Sequence, residues 1–258
     1  MEPRPTPPPE PAQSANAQDR FFALTLQTLE RLRATQWDAI ATVAGWLGEA
    51  LARDGWLYVF GTGHSHLVAE EVFYRAGGLA HAVPMLDPRL MLHENAIQAT
   101  YTEREPGFAA QLIAQYPVAP GDVLIVVSNS GRNAVPIEMA LAGREKGLRV
   151  AAILNRAQSD AWPSRHPSGK KLADVAEVVI DNCGPNGDAW LHLPGMPGPI
   201  GSTSSLVGLL IIQLIQVRAV ELALARGVAP EMYISSNTAG DPHNERLLEK
   251  YRHRIRHL

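Results

Sequence analysis

Short apolar runs without alternation recur along the chain, each bounded by polar, glycine or proline residues. Strands with one face in water alternate apolar and polar residues, whereas strands buried on both faces of a parallel sheet do not. The pattern therefore predicts buried parallel strands at residues 56–60, 80–86, 123–127, 148–154 and 175–180.

Segments with apolar residues at helical spacing lie between and around these runs. The predicted helices cover residues 67–76, 103–116 and 134–146, and residues 206–225 after the last strand. Residues 21–53 predict one long helix, or two consecutive helices, ahead of the sheet. This alternation predicts an α/β fold in which helices sandwich a parallel sheet.

Two of the predicted strands end in loops rich in glycine, hydroxyl and amide residues. The first loop reads Gly-Thr-Gly-His-Ser over residues 61–65, and the second reads Ser-Asn-Ser-Gly-Arg-Asn over residues 128–133. Each precedes a predicted helix, whose first N–H groups and dipole favour an anion. An ordinary capped turn explains either loop alone. Two such loops at one edge of a parallel sheet indicate a phosphate site, since ligands of open α/β sheets bind there.

The residues of the two loops narrow the class of phosphorylated ligand. His66 stands where a dinucleotide-binding loop has its third glycine, and neither loop carries the Gly-Lys-Ser/Thr of a P-loop. Hydrolysis of a nucleoside triphosphate is therefore not expected. The residues predicted to bind phosphate are Gly63, Ser65, Ser128, Asn129, Ser130 and Asn133.

The two loops, at this separation, resemble those of the sugar isomerase (SIS) domain family. The resemblance spans residues 35–257 and implies a flavodoxin-like sheet that binds a phosphosugar. Asn133 stands where the second loop of the family usually has threonine. Residues 201–205, Gly-Ser-Thr-Ser-Ser, resemble the hydroxyl-rich helix start that the family often places near the sugar. This implies that Ser202 and Thr203 also contact the ligand.

Composition fits a globular domain of enzyme size, with 258 residues, of which 46% are hydrophobic and 19% charged. A formal charge of -3 provides no polycationic surface, so no nucleic-acid partner is predicted. Arg218 and Glu221 end the apolar run 206–217, so no membrane-spanning segment is predicted. The single Cys183 fits a reducing compartment and a place in the core. With no apolar signal-peptide region at the N-terminus, a cytoplasmic location is predicted.

Two segments stand apart from the strand–helix pattern. Residues 1–18 are rich in proline and have almost nothing to bury, which predicts a disordered tail ahead of one SIS-type domain at residues 19–258. The loop 182–201 is rich in glycine and proline, and long loops in compact domains are more often functional than idle. Its polar residues Asn186, Asp188 and His192 are candidates to face the sugar.

Isomerisation of an aldose to a ketose moves a proton between adjacent carbons through an enediol, so it needs an acid–base pair. Glu94, within His93-Glu94-Asn95 on a predicted sheet-end loop, is the first candidate base. His243 is its predicted partner, because its Pro-His-Asn segment resembles one in glucosamine-6-phosphate synthases, sometimes contributed by the neighbouring subunit. Glu71 and His64, after and within the first loop, are further candidates.

The resemblance to the better-known enzymes of the family is partial. In phosphoheptose isomerases the helix after the first loop supplies a metal-binding His and a Glu, at the places that Glu71 and Arg75 hold here. The etherases that cleave lactyl ethers of phosphosugars also have a Glu at the place of Arg75. The histidines show no His-x-x-x-His spacing, and neither a metal nor another cofactor is predicted.

Three functions remain open for a phosphosugar-binding protein of this kind. An isomerase with Glu94 and His243 as its acid–base pair is favoured; a non-catalytic phosphosugar sensor and a phosphosugar lyase are the alternatives. The apolar face of residues 206–224 exceeds what one sheet needs for its cover, which predicts a homodimer or homotetramer.

Overall fold

The computed structural model describes residues 16–238 and 240–258. Its first helix, α1 (Ala17–Leu51), begins directly after Asn16, the N-cap residue. The side-chain oxygen of Asn16 accepts the N–H of Asp19 at 2.9 Å. Such a cap satisfies an N–H group that has no partner within the helix. Residues 17 and 18 of the predicted tail are therefore helical. Residues 1–15 lie outside the described residues, so the rest of that prediction stays open.

The sheet is formed by five parallel strands in the order β2-β1-β3-β4-β5, which is the flavodoxin-like order. Its strands are β1 (Leu57–Gly61), β2 (Ala82–Met85), β3 (Val123–Val127), β4 (Arg149–Leu154) and β5 (Val178–Asp181). Each of the five runs predicted as strands overlaps one of these strands, although β1 and β5 end one residue beyond their predicted runs. Helices cover the sheet, and the predicted fold class is confirmed.

The remaining elements are helices and one small antiparallel pair of strands. The helices after α1 are α2 (His66–Glu71), α3 (Leu92–Thr102), α4 (Phe108–Ile113), α5 (Ala134–Glu145), α6 (Arg156–Ala161), α7 (Leu172–Val175), α8 (Ser204–Ala225) and α9 (Asp241–Tyr251). The small pair consists of β6 (Ala189–Leu191) and β7 (Ile200–Ser202). All but its last residue, Ser202, lies in the segment 182–201, which was predicted as a loop.

Hydrophobic core lies on both faces of the sheet, which is why its strands show no alternation. Tyr58 and Phe60 of β1 point to one face, where α4, α5 and α9 pack. Leu57 and Val59 point to the other, where α1, α2 and α8 pack. Cys183 belongs to this second core, as predicted, and burial raises the pKa of its thiol.

The N-terminal segment forms one long helix rather than two, and α1 packs along α8. In the described part of the chain, α8 is the one helix whose length and apolar composition would suffice to cross a membrane. Its residues Val207, Ile211, Ile215 and Ala219 are fully buried against the sheet and α1. This packing accounts for one apolar face of α8.

Two helix predictions were wrong in their boundaries. The helix predicted at residues 67–76 ends at Glu71, and Tyr74 turns the chain with a φ of +43°. The helix predicted at residues 103–116 is shorter, because α3 ends at Thr102 and the chain turns through Gly107, with a φ of +86°, before α4 covers Phe108–Ile113. The helical spacing of apolar residues continues through this turn, which is why the predicted helix began too early. No helix was predicted at the position of α3.

Candidate functional site

The two predicted loops lie side by side because their strands are neighbours in the sheet. Gly61 at the end of β1 is the register partner of Val127 at the end of β3. Both loops therefore leave the same edge of the sheet, as predicted.

The first loop folds back tightly over Gly61. The N–H of Ser65 donates to the carbonyl of Thr62 at 3.0 Å, within a 3-10 turn at Gly63–Ser65. A Cβ atom on Gly61 would lie 2.3 Å from the carbonyl oxygen of Ser65, so only glycine fits there. Gly63 has a φ of +54°, which glycine adopts without the steric cost of a side chain.

A narrow cleft of about 10 Å³ lies between the two loops and the start of α8. It is lined by His64, Ser65, Val68, Val127, Asn129, Ile153, Asn182, Ser204 and Ser205. Of the predicted phosphate ligands, Ser65 and Asn129 belong to this lining, as does the predicted catalytic residue His64. The carboxyl ends of β1, β3, β4 and β5 thus meet at one place.

Four amide side chains form a closed network beneath the cleft, and we call it the amide ring: Asn129, Asn155, Gln158 and Asn182. Asn182 Nδ2 donates to Asn129 Oδ1 at 2.7 Å, and Asn129 Nδ2 donates to Gln158 Oε1 at 2.8 Å. Asn155 closes the ring, because its Nδ2 donates to Asn182 Oδ1 at 3.1 Å and its Oδ1 accepts the N–H of Gln158 at 2.7 Å.

The amide ring links the ends of three neighbouring strands, β3, β4 and β5. Asn155 and Asn182 are buried, and buried amides are stable only when they are hydrogen-bonded. The side chain of Asn129 is occupied on both sides, which leaves its backbone N–H for a ligand. Sequence analysis missed Asn155, Gln158 and Asn182. The available signal was an asparagine directly after β4 and another after β5.

The hydroxyl groups of the second loop differ in their surroundings. Ser128 is buried, and its hydroxyl oxygen accepts the N–H of Gly131 at 3.2 Å. Ser130 is half-buried, and its hydroxyl has no hydrogen-bond partner among residues 16–238 and 240–258. Ser128 therefore shapes the turn, whereas Ser130 is the hydroxyl that an anion can reach without displacing a protein group.

Asn133, predicted as a phosphate ligand, holds protein groups instead. Its Nδ2 donates to Oε1 of Glu103 at 2.5 Å, and its Oδ1 accepts from the guanidinium of Arg165 at 3.1 Å. The N–H of Val135, in the first turn of α5, donates to the backbone carbonyl of Glu103 at 3.1 Å. Glu103 therefore accepts hydrogen bonds from two groups at the start of α5, the Asn133 amide and the Val135 N–H, where phosphate was predicted to bind.

Glu103 is the candidate functional residue that sequence analysis missed. Its Oε2 accepts the hydroxyl of Thr62 at 2.6 Å, so one carboxylate joins the first loop to the end of the second. Burial raises the pKa of this carboxyl above its ordinary value, against the opposing effects of the Thr62 hydrogen bond and of Arg104 and Arg165. Glu103 is half-buried and lies beside the cleft rather than in its lining. A carboxyl with a raised pKa between two loops is typical of acid–base catalysts.

A basic segment after α6, residues 162–172, covers the second loop. The N–H of Arg165 donates to the carbonyl of Arg132 at 2.8 Å, and that of Leu172 donates to the carbonyl of Gly131 at 2.8 Å. Arg132 in turn donates from Nε to the carbonyl of Pro163 at 2.8 Å. These bonds bring the side chain of Arg165 to the N-terminus of α5.

At the start of α8, a carboxylate of the protein occupies the place predicted for phosphate. Oδ1 of Asp188 accepts the N–H groups of Thr203 and Ser204, at 3.3 and 2.9 Å, and Oδ2 accepts the hydroxyl of Ser204 at 2.6 Å. Thr203 is buried, and Ser202 is exposed in β7. Neither lines the cleft; the hydroxyls of α8 that do are those of Ser204 and Ser205.

The predicted base Glu94 is exposed at the surface. It lies in the first turn of α3, not on a loop, and its carboxylate is 3.8 Å from the ring of His93. Glu71 faces α8, because it accepts a hydrogen bond from Gln213 at 2.7 Å and pairs with Arg75 one turn along. Neither carboxylate lines the cleft.

His243 lies on another part of the surface, in the first turn of α9. Its Nε2 is 2.9 Å from the carbonyl of Met232. The next residue, Asn244, binds both backbone groups of Ile234, at 3.0 and 2.7 Å. His243 is not among the residues that line the cleft.

Within the described ranges, no three His, Cys, Asp or Glu side chains converge as a metal site would require. The expected metal-independent site stays a prediction.

Known proteins supply an independent comparison. The sequence model of the SIS domain matches residues 20–155. The chain belongs to the SIS domain family. A UPF0309 protein of Listeria monocytogenes serotype 4b is 39% identical over 238 residues, which cover 92% of this chain and 96% of the relative. A UPF0309 protein of Geobacillus kaustophilus is 40% identical over 238 residues, covering 92% and 95%.

The same fold occurs in a solved phosphoheptose isomerase from Francisella tularensis. The TM-score is 0.50 at 15% sequence identity, and the match covers 80% of this SIS-domain chain and 98% of the other. At this identity the likeness concerns the fold alone. It agrees with the flavodoxin-like sheet flanked by helices.

Proposed function

We propose that this SIS-domain protein binds a phosphorylated sugar in the cleft and interconverts its aldose and ketose forms. The single observation that carries the proposal is the position of Glu103. Its half-buried carboxylate bridges Thr62 of the first loop and Asn133 of the second, at 2.6 and 2.5 Å. A sensor needs a cradle for its ligand but has no need for a carboxyl with a raised pKa between the two loops.

In this proposal, hydroxyl and backbone N–H groups of the two loops hold the phosphate of the sugar. Ser65 at the first loop and Ser130 at the second offer hydroxyls, and Asn129 offers its N–H. The remaining predicted ligands, Gly63 and Ser128, shape the turns. The amide ring keeps the three strand ends fixed when the ligand binds, since each amide already has its partners.

The chemistry assigned to Glu103 is proton transfer between neighbouring carbons. The ionised carboxylate removes the proton from C2 of the open-chain aldose while O1 gains a proton, which gives the enediol. The protonated carboxyl then returns a proton to C1 while O2 loses one, which gives the ketose. A pKa raised above its ordinary value by burial favours a carboxyl that both accepts and returns a proton. His64, exposed at the mouth of the cleft, is the proposed carrier of the hydroxyl proton.

Exchange in deuterated water tests the reaction. The protein is incubated with a panel of aldose and ketose phosphates, and NMR follows the incorporation of deuterium at C1 and C2. We expect exchange with at least one sugar, lost in Glu103→Gln and retained in the matched control Glu105→Gln, an exposed carboxylate two residues away. Loss in Glu94→Gln but not in Glu103→Gln would assign the base to Glu94. Binding without exchange on every sugar would refute the isomerase.

The sensor is the second candidate, favoured by one observation. Glu94 and His243, the predicted acid–base pair, do not line the cleft of their own protomer. A protein that binds phosphosugars but leaves every carbon-bound proton in place would be such a sensor. The lyase alternative has less support, because Arg75, which stands at the place of its glutamate, pairs with Glu71 beside α8.

We also propose that two copies of the chain pair through α1 and α8. An apolar groove of about 310 Å³ between these helices is lined by Trp37, Ile40, Leu210, Leu214 and Val217, among others. Trp37 is 50% exposed and Val217 69%, and a helix that is apolar on all sides is normally buried on all sides. Val217→Glu should shift the mass measured by light scattering towards a monomer. Ala114→Glu, at the exposed residue that follows α4, is the control.

A further inference from the structure

The first turn of α8 presents hydrogen-bond donors at the edge of the cleft. Because α8 has 22 residues, its N-terminus carries partial positive charge, and its first N–H groups have no partner within the helix. Ser204 and Ser205 of this turn line the cleft. So do Ser65 of the first loop and Asn129 of the second. A phosphoryl group in the cleft would therefore lie against the start of α8.

Asp188 uses only some of these donors. Its carboxylate accepts the N–H groups of Thr203 and Ser204 and the hydroxyl of Ser204. The N–H groups of Ser205 and Leu206 bond no group of the described residues. The Thr203 side chain is 1% exposed, and its hydroxyl has no partner in residues 16–238 and 240–258. A threonine at the N-cap usually accepts one of these N–H groups itself, so the start of α8 keeps unused donors.

The buried hydroxyl of Thr203 is next to the wall of the cleft. A Cβ atom added to Gly184 would lie 3.5 Å from Oγ1 of Thr203 and 3.2 Å from Oδ1 of Asn182. Asn182 is one of the residues that line the cleft. A buried hydroxyl without a partner costs free energy, and such groups are rare in folded proteins. Capping by Asp188 does not account for this hydroxyl, whereas an oxygen of a bound ligand would accept its proton.

The cleft is too small for a sugar phosphate in this conformation. Its volume of about 10 Å³ corresponds to roughly one water molecule, whereas pockets for small ligands measure about 300–1,000 Å³. Ligand binding therefore requires a movement of the walls. The first loop is packed tightly over Gly61, and the amide ring joins the ends of β3, β4 and β5. These walls are the less movable ones.

The segment 186–202, which we call the insert, is fastened more weakly. Beyond its local turns, the side chain of Asp188 forms the only hydrogen bonds between the insert and the rest of the described chain. The backbone of Asp188 has a φ of +71°, a conformation that costs free energy for a residue with a side chain. Met196 and Ile200 of the insert are about half exposed, at 52% and 50%. Breaking one set of contacts would therefore free the insert from α8.

We infer that Asp188 is an internal competitor of the ligand. Its carboxylate occupies the start of α8 in the free protein, and the phosphoryl group of the sugar displaces it and releases the insert. Both groups are anions that accept hydrogen bonds from the same donors, and their like charges oppose simultaneous binding. The phosphoryl group has more oxygens, so it also reaches the N–H of Ser205 and the hydroxyl of Thr203. The inference rests on the proposed function and adds to it a regulation of the same site.

The test is titration calorimetry on the full chain with two probes, inorganic phosphate and fructose 6-phosphate. Asp188→Ala should bind both probes about tenfold more tightly than the wild type, because no charge-assisted contacts have to be broken first. Asp188→Asn keeps an acceptor oxygen without the charge and should lie between the two. Asp241→Ala removes the same charge from the first turn of α9 and should bind like the wild type. A purely structural cap predicts the opposite sign, since its loss would loosen the start of α8.

A second measurement follows the insert in the unmodified protein. Trp190 lies in β6, is half-buried, and its indole nitrogen is buried without a partner within the described ranges. Release of the insert should move its fluorescence emission to longer wavelengths, measured as the difference between the wild type and Trp190→Phe. We expect this shift when either probe binds to the wild type. Asp188→Ala should show it before any probe is added.

The outcomes separate this inference from the proposed function. A wild type that binds fructose 6-phosphate, with equal or weaker binding in Asp188→Ala, would overturn the internal competitor and leave phosphosugar binding intact. An unchanged Trp190 emission on binding would likewise overturn the release of the insert. Binding of neither probe to either protein would overturn the inference, because inorganic phosphate should enter a site from which its competitor is removed. Deuterium exchange over the panel of sugar phosphates decides the proposed function separately.

Discussion

The carboxylate of Glu103 accepts the hydroxyl of Thr62 at 2.6 Å, across 41 residues of sequence. The same carboxylate accepts the amide of Asn133, so one side chain joins the two loops that leave neighbouring strands. The Glu103 side chain therefore has hydrogen bonds to both loops at once. Changes at Glu103 are therefore expected to alter stability, its dependence on pH and the handling of the ligand together.

The raised pKa of Glu103 predicts how stability depends on pH. Because burial favours the protonated form in the folded state, this group stabilises the fold below its ordinary pKa, and the contribution is lost as the pH rises through the raised value. The free energy of unfolding of the wild type, minus that of Glu103→Gln, should therefore fall as the pH rises above about 4.5. Urea titrations of both proteins between pH 4 and 8 measure this difference in the free energy of unfolding. A constant or rising difference would contradict the assignment.

Gly61→Ala should destabilise the protein severely. The added Cβ would lie 2.3 Å from the carbonyl oxygen of Ser65 and 2.9 Å from the backbone nitrogen of His66, so the first loop must move. We expect a loss of about 3 kcal/mol in the free energy of unfolding by urea. Gly45→Ala is the control, since nothing lies within 4 Å of its added Cβ in α1, and it should gain about 0.5–1 kcal/mol. Similar effects at both positions would refute the steric explanation.

Asn155→Ala should break the amide ring. The substitution removes the acceptor for the N–H of Gln158, and it removes the amide that donates to Oδ1 of Asn182 and to the carbonyl of Pro185. A loss of about 2–3 kcal/mol on unfolding is expected, together with weaker sugar binding. Asn186→Ala, at an exposed position of the same region, should change neither quantity. Wild-type stability of the Asn155 variant would show that the ring is not a structural unit.

Ser130→Ala should weaken ligand binding without weakening the fold. Its hydroxyl bonds no group of the described residues, so its removal leaves nothing in the protein unsatisfied. We expect the Kd for a sugar phosphate to rise about tenfold at an unchanged melting temperature. Thr42→Ala removes another exposed hydroxyl, on the outer surface of α1, and serves as the control. An unchanged Kd would remove Ser130 from the phosphate site.

The fold was largely predictable from the sequence, because its strands are buried on both faces. A run such as 123–127 has no alternation and ends in a polar turn, which identifies strand, loop and sheet edge together. The adjacent loops and the cleft follow from this. The helix boundaries at residues 71 and 102 were not predictable from side-chain periodicity, since apolar spacing continues across turns set by backbone conformation.

The sequence by itself determines which segments become strands and that the two loops follow β1 and β3. Because these strands are parallel neighbours, it also determines that Ser65 and Asn129 lie close together. These features depend on local pattern and on parallel order. Only the tertiary structure decided that Asn133 binds Glu103, that Asp188 occupies the start of α8, and that Arg165 reaches the N-terminus of α5. Each of these contacts joins residues far apart in sequence, and its energy depends on burial and charge that arise only when the chain is folded.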